Sequence, residues 1–247
     1  MTQTVYIDCI AEWFRMDNCN PVGTPLQKGF KPLTSMSPTD ECGWEEMAAV
    51  PYREAVGSLL YVAMCTWPDI SYAVCSLAWH CSNPGREHWA AVKNVIKYLC
   101  TTWDMGLKYT TKEWDDTMNE ISAYQDSSHN NNDDAQSTLG QAVLLFSYLV
   151  CWRSKLSSCI AQLAMELELF SLNGCTRESQ WLHHVMQDVI TARVKPILIH
   201  CDNNPMIQSC QGPRVNDQNK HIQPKYFYVV QLIESGVVRL KKVPSAD

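Results

Sequence analysis

Hydrophobic residues in the N-terminal half of the chain recur at the spacing of α-helices. Residues 1–20 contain one short amphipathic run, and residues 51–100 are predicted to form three helices, the second over residues 68–81. The third has the clearest pattern, since its apolar residues fall on one face: Trp89, Val92, Val95, Ile96 and Leu99. Residues 20–50 are rich in proline and glycine and predict an irregular arm. A short strand, Gly106–Tyr109, is predicted to end this half.

The C-terminal half shows instead the pattern of a sheet with helices. A strand with alternating polarity is followed by two strands close enough in sequence to form an antiparallel hairpin. The predicted strands are 120–126, 139–149, 150–156, a buried run that ends before Asp202, and 237–243. The predicted helices are at 161–172, directly after Asp202, and at 224–234. This succession predicts an α/β fold, in which a mixed sheet has helices on both faces and follows a small helical unit.

Composition and charge narrow the class of protein. The chain has 247 residues, of which 46% are hydrophobic, enough for one large or two small domains with a sizeable core. A net charge of −6 argues against a protein that holds nucleic acid by charge alone. Residues 1–10 lack the features of a signal peptide, and no apolar run reaches the roughly 18 residues of a membrane span. We therefore expect an intracellular protein without a membrane segment.

The 12 cysteines are scattered singly and form no C-x-x-C pair. This spacing indicates neither a zinc site nor a disulfide framework. We expect reduced cysteines that mostly fill the core.

Two stretches place carboxylates where a functional site can form. Asp202 follows the buried run Ile197–Cys201, and the tip of a buried strand is a frequent place for a metal or catalytic group. The alternative is that Asp202 only caps the helix that begins after it. Glu166 and Glu168 lie on a helix that is apolar almost all round, and residues two apart on a helix point about 200° apart. The pattern leaves open which glutamate faces the sheet.

Several motifs occur in an ordered series that resembles a known family. In the N-terminal half they are Tyr52–Tyr61, Pro68–Val74, Asn83-Pro84 and His88-Trp89. They resemble the copia-type retrotransposon polyprotein, in the region between its polymerase palm and its ribonuclease H domain. Trp67 departs from the family, which usually carries an arginine before Pro-Asp-Ile.

The resemblance implies three segments. These are an N-terminal helix and irregular arm over residues 1–50, a helical connection region of the reverse transcriptase over 51–110, and a ribonuclease H-like domain over 120–247. The palm of this family carries its metals on a Tyr-x-Asp-Asp turn. Because the chain has no such motif, no polymerase activity is expected.

The same resemblance implies a catalytic metal site made of Asp126, Glu168 and Asp202. Asp126 matches the first aspartate of the family's Tyr-Ser-Asp-x-Asp-Trp stretch, although its second aspartate and tryptophan have become Ser128 and His129. Glu168 matches the second glutamate of Glu-Ala-Glu-Tyr. Asp202 matches the aspartate of Tyr-Cys-Asp-Asn.

Carboxylates of this kind suit phosphodiester hydrolysis. The reaction builds negative charge on the phosphate and needs an activated water, and two Mg²⁺ ions about 3.5–4 Å apart supply both. Mg²⁺, or Mn²⁺ in its place, prefers hard oxygen ligands and keeps several waters, so a few carboxylates suffice. The resemblance therefore implies a ribonuclease H-type endonuclease that cleaves the RNA strand of RNA–DNA hybrids, with no small-molecule cofactor.

The family site also has a fourth carboxylate, in an Ala-Asp pair before a final helix. This chain ends at Asp247, short of that position, so a domain truncated at its C-terminus with weak or no hydrolysis is expected. The alternative is a catalytically dead remnant that binds nucleic acid or a protein partner. The sequence leaves the oligomeric state open and predicts a cytoplasmic or nuclear location.

Overall fold

A computed structural model describes residues 1–110, 120–128, 137–157, 164–189, 195–211 and 223–243. The chain divides into two compact units, one formed mainly by residues 1–109 and one by the strands and helices that follow. Among the described residues, no helix has both the length and the apolar character needed to cross a membrane.

The N-terminal unit is helical. Its helices are α1 (Thr4–Trp13), α2 (Glu41–Ala48), α3 (Tyr52–Cys65), α4 (Ser71–Ala78) and α5 (Arg86–Thr101), with 3₁₀ turns at Thr34–Met36 and Pro68–Ile70. Apolar residues of α1 and α3–α5 share one core, which includes Ile7, Ile10, Leu59, Leu77 and Ile96.

Three local predictions for this unit differ from the structure. The helix α2 lies within the segment predicted to be irregular, and it begins where the Asp40 carboxylate accepts a hydrogen bond from the Gly43 amide at 3.1 Å. The helix predicted over 68–81 is a 3₁₀ turn followed by the shorter α4. The strand predicted at Gly106–Tyr109 does not form, although Leu107 exchanges two backbone hydrogen bonds with Met1.

The start of α5 holds the arm against the helices. The ring of His88 accepts a hydrogen bond from the Gly85 amide at Nδ1 (3.0 Å), so Nε2 carries the proton and donates to the Leu33 carbonyl (3.1 Å). Burial lowers the pKa of His88 to about 4, which keeps the ring neutral in this role. The Asn83 side chain donates to the Pro38 carbonyl at 3.1 Å. The Asn-Pro and His-Trp motifs therefore have a structural use.

Gly85 gives a testable prediction about this contact. A Cβ at Gly85 would lie 1.9 Å from the Met36 carbonyl oxygen, whereas a Cβ at the exposed helical residue Gly57 would meet nothing within 4 Å. We expect Gly85→Ala to lower the free energy of unfolding by more than about 1 kcal/mol, and Gly57→Ala to raise it by about 0.5–1 kcal/mol. Urea denaturation of both variants checks this, and equal effects would contradict the close approach.

The C-terminal unit is a five-stranded mixed sheet with helices. Its elements are β1 (Ile121–Ser128), β2 (Thr138–Leu145), β3 (Tyr148–Leu156), α6 (Ala164–Val189), β4 (Ile197–Cys201), α7 (Asn204–Gln211), α8 (Gln223–Glu234) and β5 (Val238–Lys242). The strand order is β3-β2-β1-β4-β5. Strand β2 is antiparallel to β1, whereas β4 is parallel to β1 and β5 is parallel to β4. The predicted α/β class, a mixed sheet with flanking helices, is confirmed.

Two elements differ in extent from the prediction. The turn between β2 and β3 lies at Phe146 and Ser147, whose φ angles of 54° and 68° suit a two-residue hairpin. Helix α6 has 26 residues and continues well beyond the predicted 161–172. The sequence did not predict this extension, because the middle of the helix is polar. The hydroxyls of Thr176 and Ser179 are nevertheless satisfied within the helix, since they donate hydrogen bonds to carbonyls four residues earlier, at 2.7 and 2.8 Å.

The core of this unit lies on one face of the sheet. Apolar side chains of α6, α7 and α8 join one cluster with the strand residues Ile121, Ala123, Ile197 and Ile199. The sequence predicted helices on both faces of the sheet, but α6, α7 and α8 all contribute to the cluster on this one face. The opposite face carries Tyr124, whose ring stacks on that of His200 with centroids 4.3 Å apart.

Candidate metal centre

The candidate site lies where β1 and β4 end beneath α6. Because these strands are parallel, their carboxyl ends meet at the same edge of the sheet. Asp126 lies near the end of β1, and Asp202 directly follows Cys201, the last residue of β4. Helix α6 packs on β1 and carries Glu168 to this edge.

Glu168 is buried, with 7% of its surface exposed, and both of its oxygens are hydrogen-bonded. The Ser127 hydroxyl donates to Oε1 at 2.7 Å, and the Gln125 amide donates to Oε2 at 3.3 Å. Burial raises the pKa of Glu168, these two hydrogen bonds lower it, and the nearby Asp202 and Asp126 charges raise it. The sequence pattern left open whether Glu166 or Glu168 faces the sheet, and the structure shows that Glu168 contacts β1.

Glu168 is grouped with Cys201 and Asp202. One ligand atom from each of these side chains lies within 4.8 Å of the other two. Cys201 is 1% exposed, and burial raises the pKa of its thiol. Gln125 ties the group together, since its Nε2 also contacts the Cys201 sulfur at 3.0 Å.

Asp202 is not the cap of the helix that follows it. The side chain of Asn203 accepts a hydrogen bond from the Met206 amide at 3.0 Å, which is the capping contact of α7. The alternative, that Asp202 only caps the helix, is therefore wrong. Its half-buried carboxylate instead lies close to Glu168 and Cys201.

The structure does not bring the third predicted residue, Asp126, into this group. Side chains alternate along β1, so Asp126 lies on the opposite side of the strand from Gln125 and Ser127, and it is exposed. Its charge nevertheless contributes to the raised pKa of Glu168, which places it at the same edge of the sheet. Two of the three predicted carboxylates thus lie together, and the third lies beside them on the other face. His129 and Asp247 lie outside the described residues.

The sequence analysis does not identify three residues of this site, which are Gln125, Ser127 and Cys201. A signal for the first was present, because Gln125 continues the buried side of β1 after Ile121 and Ala123 and is polar where an apolar residue is expected. For Cys201, the sequence predicts only a core-filling role. Its position between a buried strand and a carboxylate was the available signal.

The donor set fits Mg²⁺. This ion is held in proteins by one or two carboxylates together with waters, and Glu168 and Asp202 offer two carboxylates at this spacing. The Cys201 thiol is too soft a donor to prefer this ion.

Relatives of the chain share its sequence over different lengths. It is 30% identical over 248 residues to the retrovirus-related Pol polyprotein from transposon TNT 1-94 of Nicotiana tabacum, with 100% of this chain and 18% of the relative covered. It is 31% identical over 248 residues to that from transposon RE1 of Arabidopsis thaliana, with 100% and 16% covered. Secreted RxLR effector protein 161 of Plasmopara viticola is 34% identical over 137 residues, with 55% and 94% covered. The chain therefore spans less than a fifth of either polyprotein.

No protein-family model matches the chain. Solved structures with a partial likeness include LC11-RNase H1 isolated from compost, at 14% identity and a TM-score of 0.40, covering 52% of this chain and 86% of that one. Another is the foamy viral protease-reverse transcriptase in complex with dsDNA, at 9% identity and a TM-score of 0.45, covering 84% and 42%. Overlaps this loose carry no argument about function.

The raised pKa of Glu168 predicts how stability depends on pH. A carboxyl whose pKa is higher in the folded state stabilises the fold below its ordinary pKa, and this contribution is lost as the pH rises through the raised value. In metal-free buffer, Glu168→Gln is therefore expected to be more stable than the wild type at neutral pH. The difference should close as the pH falls below the raised pKa.

Thermal unfolding between pH 4 and 8 tests this prediction. Glu166→Gln is the matched control, since this glutamate lies two residues away on α6 and points to a different side of the helix. We expect its profile to run parallel to that of the wild type. A constant difference between Glu168→Gln and wild type at every pH would show that the Glu168 pKa is not raised.

Proposed function

The chain belongs to the copia-type Pol polyprotein family of transposons, and we propose that its C-terminal unit is a ribonuclease H-type hydrolase that cleaves the RNA strand of RNA–DNA hybrids. The observation that carries the proposal is the pair of carboxylates, Glu168 and Asp202, held together at the end of β4. Within this proposal, residues 51–110 are the connection region and residues 120–247 the hydrolase domain.

Each residue has a defined task in this proposal. Glu168 is fixed by Ser127 and Gln125, so its oxygens are oriented before any ion arrives. Asp202 lies half-buried at the rim, where it can contact an ion that is still partly hydrated. Asp126 adds a third carboxylate from the end of β1, where its side chain is exposed.

Magnesium or manganese, when bound by these carboxylates, would activate water and offset the charge that develops on the scissile phosphate. The chain's own contribution is to gather negative side chains that repel one another without the ion. Burial and that repulsion both raise the pKa of Glu168. A divalent cation relieves it, so ion binding and the burial of Glu168 support each other.

Cleavage of an end-labelled RNA–DNA hybrid in Mg²⁺ tests the proposal. We expect Glu168→Gln and Asp202→Asn to lower the rate by about 10²–10³-fold each, the usual effect of removing one preorganised charged group. Asp126→Asn is expected to lower it as well, because Asp126 supplies the third carboxylate of the proposed site. Glu166→Gln is the matched control and should retain the wild-type rate, because it lies on another side of α6.

The outcomes separate this proposal from its alternative. Hybrid binding without cleavage in Mg²⁺ or Mn²⁺ would favour a binding module without hydrolysis. Cleavage that survives in both Glu168→Gln and Asp202→Asn would come from another source and would overturn the assignment of the site.

A further inference from the structure

Two cysteines contact each other in the N-terminal unit. Cys19 lies in the loop after α1, and Cys100 lies in the last turn of α5. The Cys100 thiol donates a hydrogen bond to the Cys19 sulfur. Both side chains are half-buried, both are free thiols, and both pack against the same apolar core.

Other hydrogen bonds hold the loop that carries Cys19 along α5. The Val22 amide donates to the Thr101 hydroxyl at 3.2 Å. The Asn94 side chain donates to the two carbonyls of Thr24-Pro25, at 3.0 and 2.7 Å. The chain from Cys19 onward therefore follows the last turns of α5, and the contact between the two thiols does not depend on a single interaction.

We propose that Cys19 and Cys100 are a redox-sensitive pair that hydrogen peroxide converts to an intramolecular disulfide. The Cys19 thiolate attacks one peroxide oxygen and becomes a sulfenic acid, and the other oxygen leaves as water after taking up a proton. The Cys100 sulfur then attacks the Cys19 sulfur, and the sulfenic hydroxyl leaves as a second water with the Cys100 proton. In total, two thiols lose two electrons and two protons, and one peroxide becomes two waters.

The surroundings of the pair determine the order of these steps and the class of oxidant. Burial, the hydrogen bond to Cys19 and the charges of Asp17 and Asp8 raise the pKa of Cys100 to about 12. Because the thiolate is the reactive form, Cys19 is the first to be oxidised and Cys100 the second to react. The two aspartates also repel an anionic oxidant such as glutathione disulfide, whereas hydrogen peroxide is neutral.

The disulfide would fasten the start of the arm to the end of α5. A disulfide requires the two sulfurs at about 2.05 Å, so they must move closer than in a hydrogen bond. Cys19 lies outside the helices, in a loop that can make this movement. The bond would close a loop from residue 19 to residue 100, and a closed loop of this length restricts the unfolded chain strongly. Oxidation is therefore expected to stabilise the N-terminal unit.

Peptide mapping of the full chain tests the pairing. Trypsin releases the two cysteines in separate peptides, residues 16–28 and 98–108, each with a single cysteine. After the native protein is treated with hydrogen peroxide and its remaining thiols are blocked, we expect mass spectrometry to find these two peptides joined. Dithiothreitol should separate them.

Cys81→Ser is the matched control. This cysteine is half-buried in the same unit, and burial raises its pKa as it does that of Cys100, but its charged neighbour is Arg53. The variant should give the joined peptide in wild-type yield. In Cys100→Ser, the sulfenic acid at Cys19 has lost its partner, so labelling of Cys19 with dimedone should exceed that in the wild type.

Thermal unfolding gives a second readout. Peroxide should raise the melting temperature of the wild type and of Cys81→Ser by about 5–15 °C, and dithiothreitol should reverse the rise. Cys19→Ser and Cys100→Ser should show no such rise.

The proposal fails if peroxide oxidises other cysteines of the native protein while residues 16–28 and 98–108 stay separate. It also fails if the two peptides join only in urea, or if Cys19 joins other cysteines as often as Cys100. Labelling of Cys100 in Cys19→Ser, without labelling of Cys19 in Cys100→Ser, would overturn the order of the steps. None of these measurements depends on the proposed hydrolysis.

Discussion

A carboxylate buried beneath a helix costs free energy unless its oxygens are hydrogen-bonded, and the geometry of the C-terminal unit meets this requirement for Glu168. Strand β1 supplies both donors from alternate residues, Ser127 and Gln125, on the side that faces α6. Both contacts form only when α6 is fixed at one position along the direction of β1. This position also places Glu168 near Asp202, because β4 runs parallel to β1 and ends at the same edge of the sheet.

The free and the ion-bound protein therefore favour different protonation states of the Glu168 carboxyl. In the free protein, burial and two nearby aspartates favour the protonated form of Glu168. A bound cation favours the charged form. Two neutral donors are a compromise between these states, since a hydroxyl and an amide stabilise a carboxylate without the fixed charge of a lysine or arginine. A fixed positive charge at this point would compete with the ion.

The sequence predicted the parts of this arrangement that depend on repeated local patterns. The apolar face of α5, the alternation of β1 and the buried run before Asp202 each follow from side chains at regular spacing. Residues whose role depends on contacts across the fold were harder to predict. Cys201 and Gln125 meet although 76 positions separate them, and only the pairing of β1 with β4 joins them. Likewise, the choice of Asn203 over Asp202 as the cap of α7 depends on how the chain leaves β4.

The contact of His88 with the Leu33 carbonyl has a consequence for the order of folding. It joins residues 55 positions apart, whereas the helices beside it form from local contacts. Closing a loop of this length costs entropy before the contact returns any energy, so we expect the arm to become ordered after α3–α5 have assembled. A local opening of the arm around residues 33–38 would then leave α3–α5 folded.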